Sequence, residues 1–345
     1  MGGTSAERDV SLASGLRVAV ALRSRGHIVT SIDTVRGPLT TVEEQSMLAN
    51  GVMRTLPPEQ DALMQLSEHA LPATVRAIPA PQDVDMVFLG LHGGQGEDGT
   101  IQAVLDLTGV PYTGSGHLAS ALAMDKDLSK KLFRSAGVRT PDWWMVRRRD
   151  IPDWKGGHYA ANAISALGLP LIVKPSKQGS TVGLSLVKSA TGIALAIAEA
   201  FCYDDEVMLE TFVPGRELTV GILGDVALPV GEIIPKHEIY DYECKYTAGM
   251  AEEIFPASLS DEERGQAQAL ALIAFQALKL SGCARIDFRM TDDGTLYCLE
   301  ANTLPGMTEL SLIPQAASAA GISFAALCER IVALALSARD SGEMT

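Results

Sequence analysis

Cys283-Ala-Arg-Ile-Asp-Phe-Arg-Met-Thr-Asp-Asp-Gly-Thr-Leu-Tyr-Cys-Leu-Glu-Ala-Asn302 is the stretch on which the reading turns. Two strand-like runs flank Asp293-Gly294, a strong hairpin signal. With Asp293 and Gly294 as the loop, Asp292 pairs with Thr295. Counting back sets Asp287 opposite Glu300 and Arg285 opposite Asn302. A symmetric four-residue loop gives the same pairing. Side chains alternate along a strand, so these four groups share one face, with Leu296 and Cys298 beside them. Opposed Cβ atoms lie about 5 Å apart. Two carboxylates that close repel unless something neutralises them. Mg²⁺ does so with carboxylate, amide and phosphate oxygens. Asn302 adds a neutral oxygen, and Arg285 faces a phosphate or an oxyanion. The plainer alternative is a solvated sheet face with a chance acid pair. Leu296 and Cys298 on the same face argue against a wet surface.

Upstream, Lys174-Pro-Ser-Lys-Gln-Gly-Ser-Thr-Val-Gly183 lies between two apolar strands, Pro170 to Lys174 and Leu184 to Val187. Its small residues let backbone N–H groups approach an anion. It is not a Walker A loop, because no GxxxxGK occurs. An ordinary hairpin loop is the alternative. Lys126, in Met124-Asp-Lys-Asp127, reads by itself as a surface lysine.

Strand and helix signals alternate elsewhere, which indicates an α/β class. Val84 to Leu91 reads as a buried strand followed by a helix over Thr100 to Leu107. A helix over Thr191 to Phe201 precedes a strand over Val207 to Glu210. Leu218 to Leu223 and Ala227 to Ile234 flank Gly224-Asp225 as a hairpin. Lys236 to Glu253 is polar, holds three tyrosines and has no apolar period, as expected of a functional loop. Ser260 and Glu263 form a capping box for the next helix.

The chain has 345 residues, 47% of them hydrophobic, enough for two or three packed cores. A net charge of −14 argues against nucleic acid or an anionic membrane as the main partner. Cys202, Cys244, Cys283, Cys298 and Cys328 make no CxxC pair and read as reduced thiols, most of them core filler. No apolar run reaches transmembrane length.

Gly94-Gln-Gly96-Glu-Asp-Gly99 matches the GxGxxG dinucleotide pattern, after a strand and before a helix. The acid sought about twenty residues on is missing, since Ala119 stands there and Asp125 is the nearest candidate. A loop and helix N-terminus lining a small-molecule site fits better than NAD.

Taken together, these segments resemble the D-alanine–D-alanine ligases of the ATP-grasp superfamily. Gly2-Gly-Thr-Ser-Ala-Glu-Arg-Asp-Val-Ser-Leu12 is similar to that family's N-terminal signature, and His92-Gly-Gly-Gln-Gly-Glu-Asp-Gly99 to its second one. Val173-Lys-Pro-Ser and Gly179-Ser-Thr-Val-Gly183 resemble its nucleotide loop. Arg285-Ile-Asp287 and Glu300-Ala-Asn-Thr-Leu-Pro-Gly-Met-Thr308 resemble its metal motif. The similarity runs from Gly2 to about Leu336.

The resemblance implies a three-domain ATP-grasp architecture. Residues 1–115 would form a Rossmann-like substrate-binding domain, 116–213 the central subdomain, and 214–345 the C-terminal subdomain, with a lid at 236–253. Lys126, Lys174, Glu210, Val213, Glu217 and Lys245 would hold ATP. Asp287, Glu300 and Asn302 would hold Mg²⁺, with Mn²⁺ as a substitute. Glu7 would bind the amino group of the first D-alanine, with His92 close by. Ser180 and Tyr246 would link with Glu7 to close the site. Ser311 and Leu312 would meet the carboxylate end of the second D-alanine, and Arg285 with the Gly306 N–H would form an oxyanion site. The implied enzyme is a cytoplasmic homodimer that makes D-alanyl-D-alanine for peptidoglycan precursors.

Each residue taken singly also fits a plainer role: Glu7 as a first-turn acid, His92 as a hydrogen-bonded core histidine, Tyr246 as a loop aromatic. Competing activities are D-alanyl-D-lactate formation, another ATP-grasp ligation, or a nucleotide-binding relic. Asp241-Tyr-Glu-Cys-Lys-Tyr246 keeps the tyrosine of dipeptide-forming members. The relic reading is motivated by the start, where Gly2-Gly3 follow Met1 with no apolar strand before them.

Overall fold

The structure, a computed structural model, describes residues 1–51, 73–150, 158–247 and 249–340, without the side chains of 158–160, 246, 339 and 340. Near the N-terminus, β1 (Ile32–Asp33) and β2 (Gly37–Pro38) form a small antiparallel pair. β3 (Trp143–Arg147), β4 (Leu171–Pro175), β5 (Ser185–Val187) and β6 (Glu206–Thr211) make an antiparallel sheet in the order β3-β6-β4-β5. β7 (Arg216–Leu223), β8 (Val226–Ala227), β9 (Gly231–Pro235), β10 (Ala251–Ile254), β11 (Cys283–Met290) and β12 (Leu296–Asn302) make a second sheet. Its order is β10-β9-β7-β11-β12, with β8 paired to β7.

The four-stranded sheet is backed by helices on one side, and the second sheet carries helices on both faces. Every residue of β4 is buried. Leu171, Val173, Val207 and Leu209 pack beneath Ala163 of helix His158–Leu167 and Ile193, Ala196 and Ile197 of helix Ile193–Ala200. Burying each large apolar side chain contributes about 1.5–3 kcal/mol. Behind the second sheet runs helix Asp261–Ala277. Ser260 caps it by accepting from the Glu263 N–H at 3.2 Å, while the Glu263 carboxylate accepts from the Ser260 N–H at 2.8 Å. Its buried Ala267, Ala271 and Ala274 let it lie close over Leu218, Val220 and Ile286. Helix Arg8–Ser24 packs Val18, Ala21 and Leu22 onto helices Leu312–Ala319 and Phe324–Asp340, tying the two ends of the chain together.

Most expected elements form, within a residue or two. Val84 to Leu91 does not form the expected strand. It makes one parallel bridge, Val87 to Tyr112. Beyond it, hydroxyls replace a strand partner: Leu89 N–H bonds Thr113 Oγ1 at 3.0 Å and His92 N–H bonds Ser11 Oγ at 2.8 Å. The helix expected over Thr191 to Phe201 splits into a 3₁₀ turn, Ala190–Gly192, and helix Ile193–Ala200. Both β8 and β9 pair with β7, with registers one residue apart. The polar stretch 236–253 is not structureless. Helix Tyr242–Tyr246 and most of β10 lie within it.

The decisive hairpin has the expected partners, Asp287 opposite Glu300 and Arg285 opposite Asn302. Its loop differs from the expectation. Thr291 N–H bonds Thr295 O at 3.0 Å, which leaves a three-residue loop of Asp292, Asp293 and Gly294, with Gly294 at φ +81°. Met290 therefore pairs with Leu296 and Phe288 with Cys298. A bulge at Leu299 then restores the pairing at Glu300. Leu296 and Cys298 consequently lie on the opposite face, buried with Phe288 and Met290, and do not share the face of Asp287 as expected.

Candidate active site

Two clefts meet between the sheets. The first, of about 970 Å³, is lined by Lys126, Lys174, Glu210, Val213, Glu217 and Lys245. The second, of about 1870 Å³, is lined by Glu7, His92, Asn302, Gly306, Ser311 and Leu312. Lys126, Ser180, Lys245, Arg285, Glu300 and Leu312 line both. All residues expected to hold nucleotide thus share one cleft, and those expected to hold substrate share the other. Asp287 lines the first and Asn302 the second, on either side of Glu300.

Lysines dominate the charge of the first cleft. Lys174 ends β4 and donates to Glu210 at 2.9 Å. Lys130 contacts the other Glu210 oxygen at 2.5 Å. Burial opposes ionisation of Glu210, but Lys130 and Lys174 outweigh it and hold its carboxyl below the usual range. Burial in turn brings the Lys130 ammonium down to about 8, against the pull of Glu210. Lys126 is not a surface lysine. It begins helix Lys126–Ser135, is buried, donates to Gln178 O at 2.7 Å and stands 3.5 Å from Glu300. Glu217 accepts from Arg289 at 3.1 Å, and burial raises its carboxyl above the usual range. Arg289 also donates to Val213 O at 3.0 Å.

The carboxylate pair sits at the junction of the clefts. Asp287 accepts from Arg285 Nε and Nη2, each at 2.9 Å, and from Thr219 Oγ1 at 2.7 Å. Burial works against the charge of Arg285, but Asp287 more than offsets it and raises the guanidinium pKa. Burial also works against the charge of Glu300. Lys126, Lys245, Lys174 and Arg285 overcome it and bring the carboxyl down to about 2. Asn302 Oδ1 is buried with no hydrogen-bond partner. A native buried acceptor of that kind calls for a ligand. Two opposed carboxylates beside an unpartnered amide oxygen form an all-oxygen set that fits a hard divalent cation.

On the substrate side, Ser180 Oγ donates to Glu7 Oε1 across 173 residues of sequence. Ser180 and Thr181 both adopt left-handed backbone, at φ +49° and +58°, which carries the loop over Glu7. Such conformations cost about 1–3 kcal/mol each and persist where the surroundings hold them. Tyr246, the expected third member of this link, has its side chain outside the described residues. Lys245, beside it, lies 5.4 Å from the Tyr240 ring centroid.

His92 is buried with both ring nitrogens engaged. Nδ1 is 2.6 Å from Leu304 O and Nε2 is 2.9 Å from Ser14 Oγ. Burial lowers its pKa, so the ring is neutral at pH 7. Ser14 Oγ in turn accepts from Met307 N–H at 3.1 Å. His92 therefore holds the segment around Gly306 against helix Arg8–Ser24. Gly306 itself has no room for a side chain, because an added Cβ would stand 2.8 Å from Ser311 Oγ. Ser311 Oγ accepts from Thr308 N–H at 3.1 Å, and Leu312 packs on Ile233 and Tyr240.

Two contributors were not anticipated. Lys130 offered only its helical spacing of four from Lys126. Glu97 was hidden within GxGxxG. Its carboxylate accepts from Gly93 N–H at 2.8 Å and from Leu304 N–H at 3.3 Å. Burial, with the charge of Glu7, raises it to about 7. A carboxyl thus occupies the loop amide that a dinucleotide phosphate would need, which weighs against the NAD reading.

These two sheets and the cleft between them define an ATP-grasp fold. A model of the D-ala D-ala ligase N-terminus matches residues 1–115, and one of the D-ala D-ala ligase C-terminus matches residues 132–333. The chain belongs to the D-alanine–D-alanine ligase family. It is 40% identical over 338 residues to the D-alanine–D-alanine ligase of Syntrophotalea carbinolica, covering 96% of this chain and 93% of that protein. It is 42% identical over 334 residues to that of Geobacter sulfurreducens, covering 96% and 91%. The crystal structure of the Bacillus anthracis D-alanine–D-alanine ligase superposes with a TM-score of 0.76 at 32% identity, covering 99% of this chain and 97% of that one. The VanG D-Ala:D-Ser ligase of Enterococcus faecalis gives 0.78 at 30% identity, covering 97% of each.

Proposed function

We propose that this chain joins two D-alanine molecules with ATP, through an acyl phosphate. The observation that carries the reading is the meeting of the two clefts at Lys126, Lys245, Arg285 and Glu300. A γ-phosphate entering from one side there faces a carboxylate entering from the other. Asp287, Glu300 and Asn302 would hold Mg²⁺ or Mn²⁺, which when bound supplies compensating charge beside the transferred phosphoryl group.

Glu7 takes the ammonium of the first D-alanine and is steadied by Ser180. The substrate carboxylate attacks the γ-phosphorus and ADP leaves. Lys174 and Lys245 offset the charge that spreads over the phosphoryl oxygens. The amine of the second D-alanine, held by its carboxylate end near Ser311 and Leu312, attacks the acyl carbon. Arg285 and the Gly306 N–H face the oxyanion, and phosphate leaves. Because water would destroy the acyl phosphate, residues 236–253 act as a lid. Within this reading residues 1–115, 116–213 and 214–345 are the three domains. The enzyme is a cytoplasmic homodimer serving peptidoglycan precursor synthesis. Among the described residues no single helix is long and apolar enough to cross a membrane.

The test is ADP release dependent on D-alanine, with and without Mg²⁺. Turnover should need both, and a folded Glu300→Ala variant should show none. Near-normal turnover in that variant sinks the metal assignment. The D-Ala:D-Ser relative makes a second-substrate panel informative. D-alanine should outcompete D-serine and D-lactate, and the reverse order would replace the dipeptide assignment.

A further inference from the structure

His237, Asp241 and Cys244 form a cluster separate from the carboxylate hairpin. One nitrogen of His237, one oxygen of Asp241 and Sγ of Cys244 all lie within 4.8 Å of one another. The local fold brings them together. β9 ends at Pro235, and Lys236 N–H bonds Met250 O at 2.9 Å, which sets His237 just beyond the strand. Asp241 then caps helix Tyr242–Tyr246 by accepting from the Cys244 N–H at 2.9 Å. That turn points Cys244 inward, where it is buried, and leaves His237 partly exposed. The second Asp241 oxygen is 2.7 Å from His237 Nδ1, and the Cys244 thiol lies beside both residues.

Two protons, one on imidazole and one on sulfur, thus lie beside one carboxylate. A divalent cation can take their place. Binding releases the thiol proton, shifts the imidazole proton from Nδ1 to Nε2, and leaves a neutral imidazole, a carboxylate and a thiolate, two negative charges against two positive. Nitrogen, oxygen and sulfur together select a borderline-soft tetrahedral ion, with water as fourth ligand. Mg²⁺, which prefers oxygen, is a poor match. Asp241 has an oxygen for each task, one for the helix cap and one for the metal.

We propose that His237, Asp241 and Cys244 form a Zn²⁺ site that fastens the loop over the active site. The clamp would tie the first turn of helix Tyr242–Tyr246 to the end of β9. Lys245, the next residue, would then be held over the junction of the clefts. This consequence rests on the lid reading of residues 236–253; the metal site itself does not. Bound Zn²⁺ should slow opening of the loop and lower turnover at saturating ATP, D-alanine and Mg²⁺.

The experiment titrates the full chain with Co²⁺ as a spectroscopic probe and then with Zn²⁺. One equivalent of Co²⁺ should give a near-ultraviolet thiolate charge-transfer band, which Zn²⁺ abolishes by competition. Cys244→Ala and His237→Gln should each lose it. Removal of a ligand should weaken binding by more than the roughly 10- to 100-fold that loss of an outer-shell partner costs. No band, or a band that survives both substitutions, overturns the site. Zn²⁺ should also slow proteolysis within residues 236–250 and inhibit the parent enzyme but not His237→Gln, whose turnover without Zn²⁺ stays normal. Stoichiometric Zn²⁺ binding that changes neither proteolysis nor turnover overturns the clamp. Should the ligase activity fail altogether, the Co²⁺ and proteolysis arms still decide the proposal.

Discussion

Asp287 and Glu300 face each other across β11 and β12 through two offsetting irregularities. The three-residue loop shifts the register by one residue at Leu296 and Cys298. The bulge at Leu299 shifts it back. The shift turns Cys298 into the core, and the return turns Glu300 and Asn302 toward the clefts.

Inserting one residue between Leu299 and Glu300 should therefore abolish activity, since a one-residue slip moves every following side chain to the other face. Glu300 and Asn302 would then oppose Ile286 and Ala284, which face the core, and the fold should weaken. Adding one residue within the exposed turn, between Asp292 and Asp293, should leave ADP release and Tm near the parent's, because the loop absorbs it. Equal loss of activity in both variants would count against the bulge as the device that sets the metal face.

Asn302→Leu separates stability from chemistry. The buried Oδ1 has no partner, and an unsatisfied buried acceptor costs about 1–3 kcal/mol. The variant should unfold at the parent's Tm or higher in the absence of nucleotide and Mg²⁺. Its Mg²⁺ requirement for ADP release should rise at least ~10-fold. A large fall in Tm with unchanged Mg²⁺ dependence would mean that Asn302 is purely structural.

Glu97 and Glu300 should give opposite pH dependences. The Glu97 carboxyl is raised from 4.5 to about 7, so between these values the folded state holds a proton that the unfolded state has lost. Stability should fall as pH rises through that window, by on the order of 3 kcal/mol. Glu300 is lowered from 4.5 to about 2, so its contribution is present above pH 4.5 and is lost as pH falls toward 2. Urea titrations should show a flatter stability profile from pH 4.5 to 7 for Glu97→Gln. They should show a flatter one from pH 4.5 to 2 for Glu300→Gln.

Gly179→Ala tests the contact between the nucleotide loop and the N-terminal helix. An added Cβ would stand 2.7 Å from Glu7 Oε2, so the carboxylate must move. Displacing a substrate-orienting group by about 1 Å can cost on the order of 100-fold. kcat/KM for D-alanine should fall on that scale while ATP affinity, measured calorimetrically, changes little. Parallel losses in both would place the effect on the loop as a whole.

What the sequence determined by itself was local. The Asp-Gly turn and strand alternation identified the partners Arg285–Asn302 and Asp287–Glu300, and the Ser260–Glu263 box marked a helix start. Adjacent residues decide such features, because turn chemistry and capping bonds close within a few residues. Grouping of the distant segments came from resemblance to a family, and no spacing implied it. Tertiary structure decided the rest. It buried Lys126 and Lys130 beside Glu300 and Glu210, joined Ser180 to Glu7, and engaged both nitrogens of His92. The charge state of Glu97 or Glu300 depends on desolvation and on lysines brought in from other elements, so it exists only once the sheets have packed.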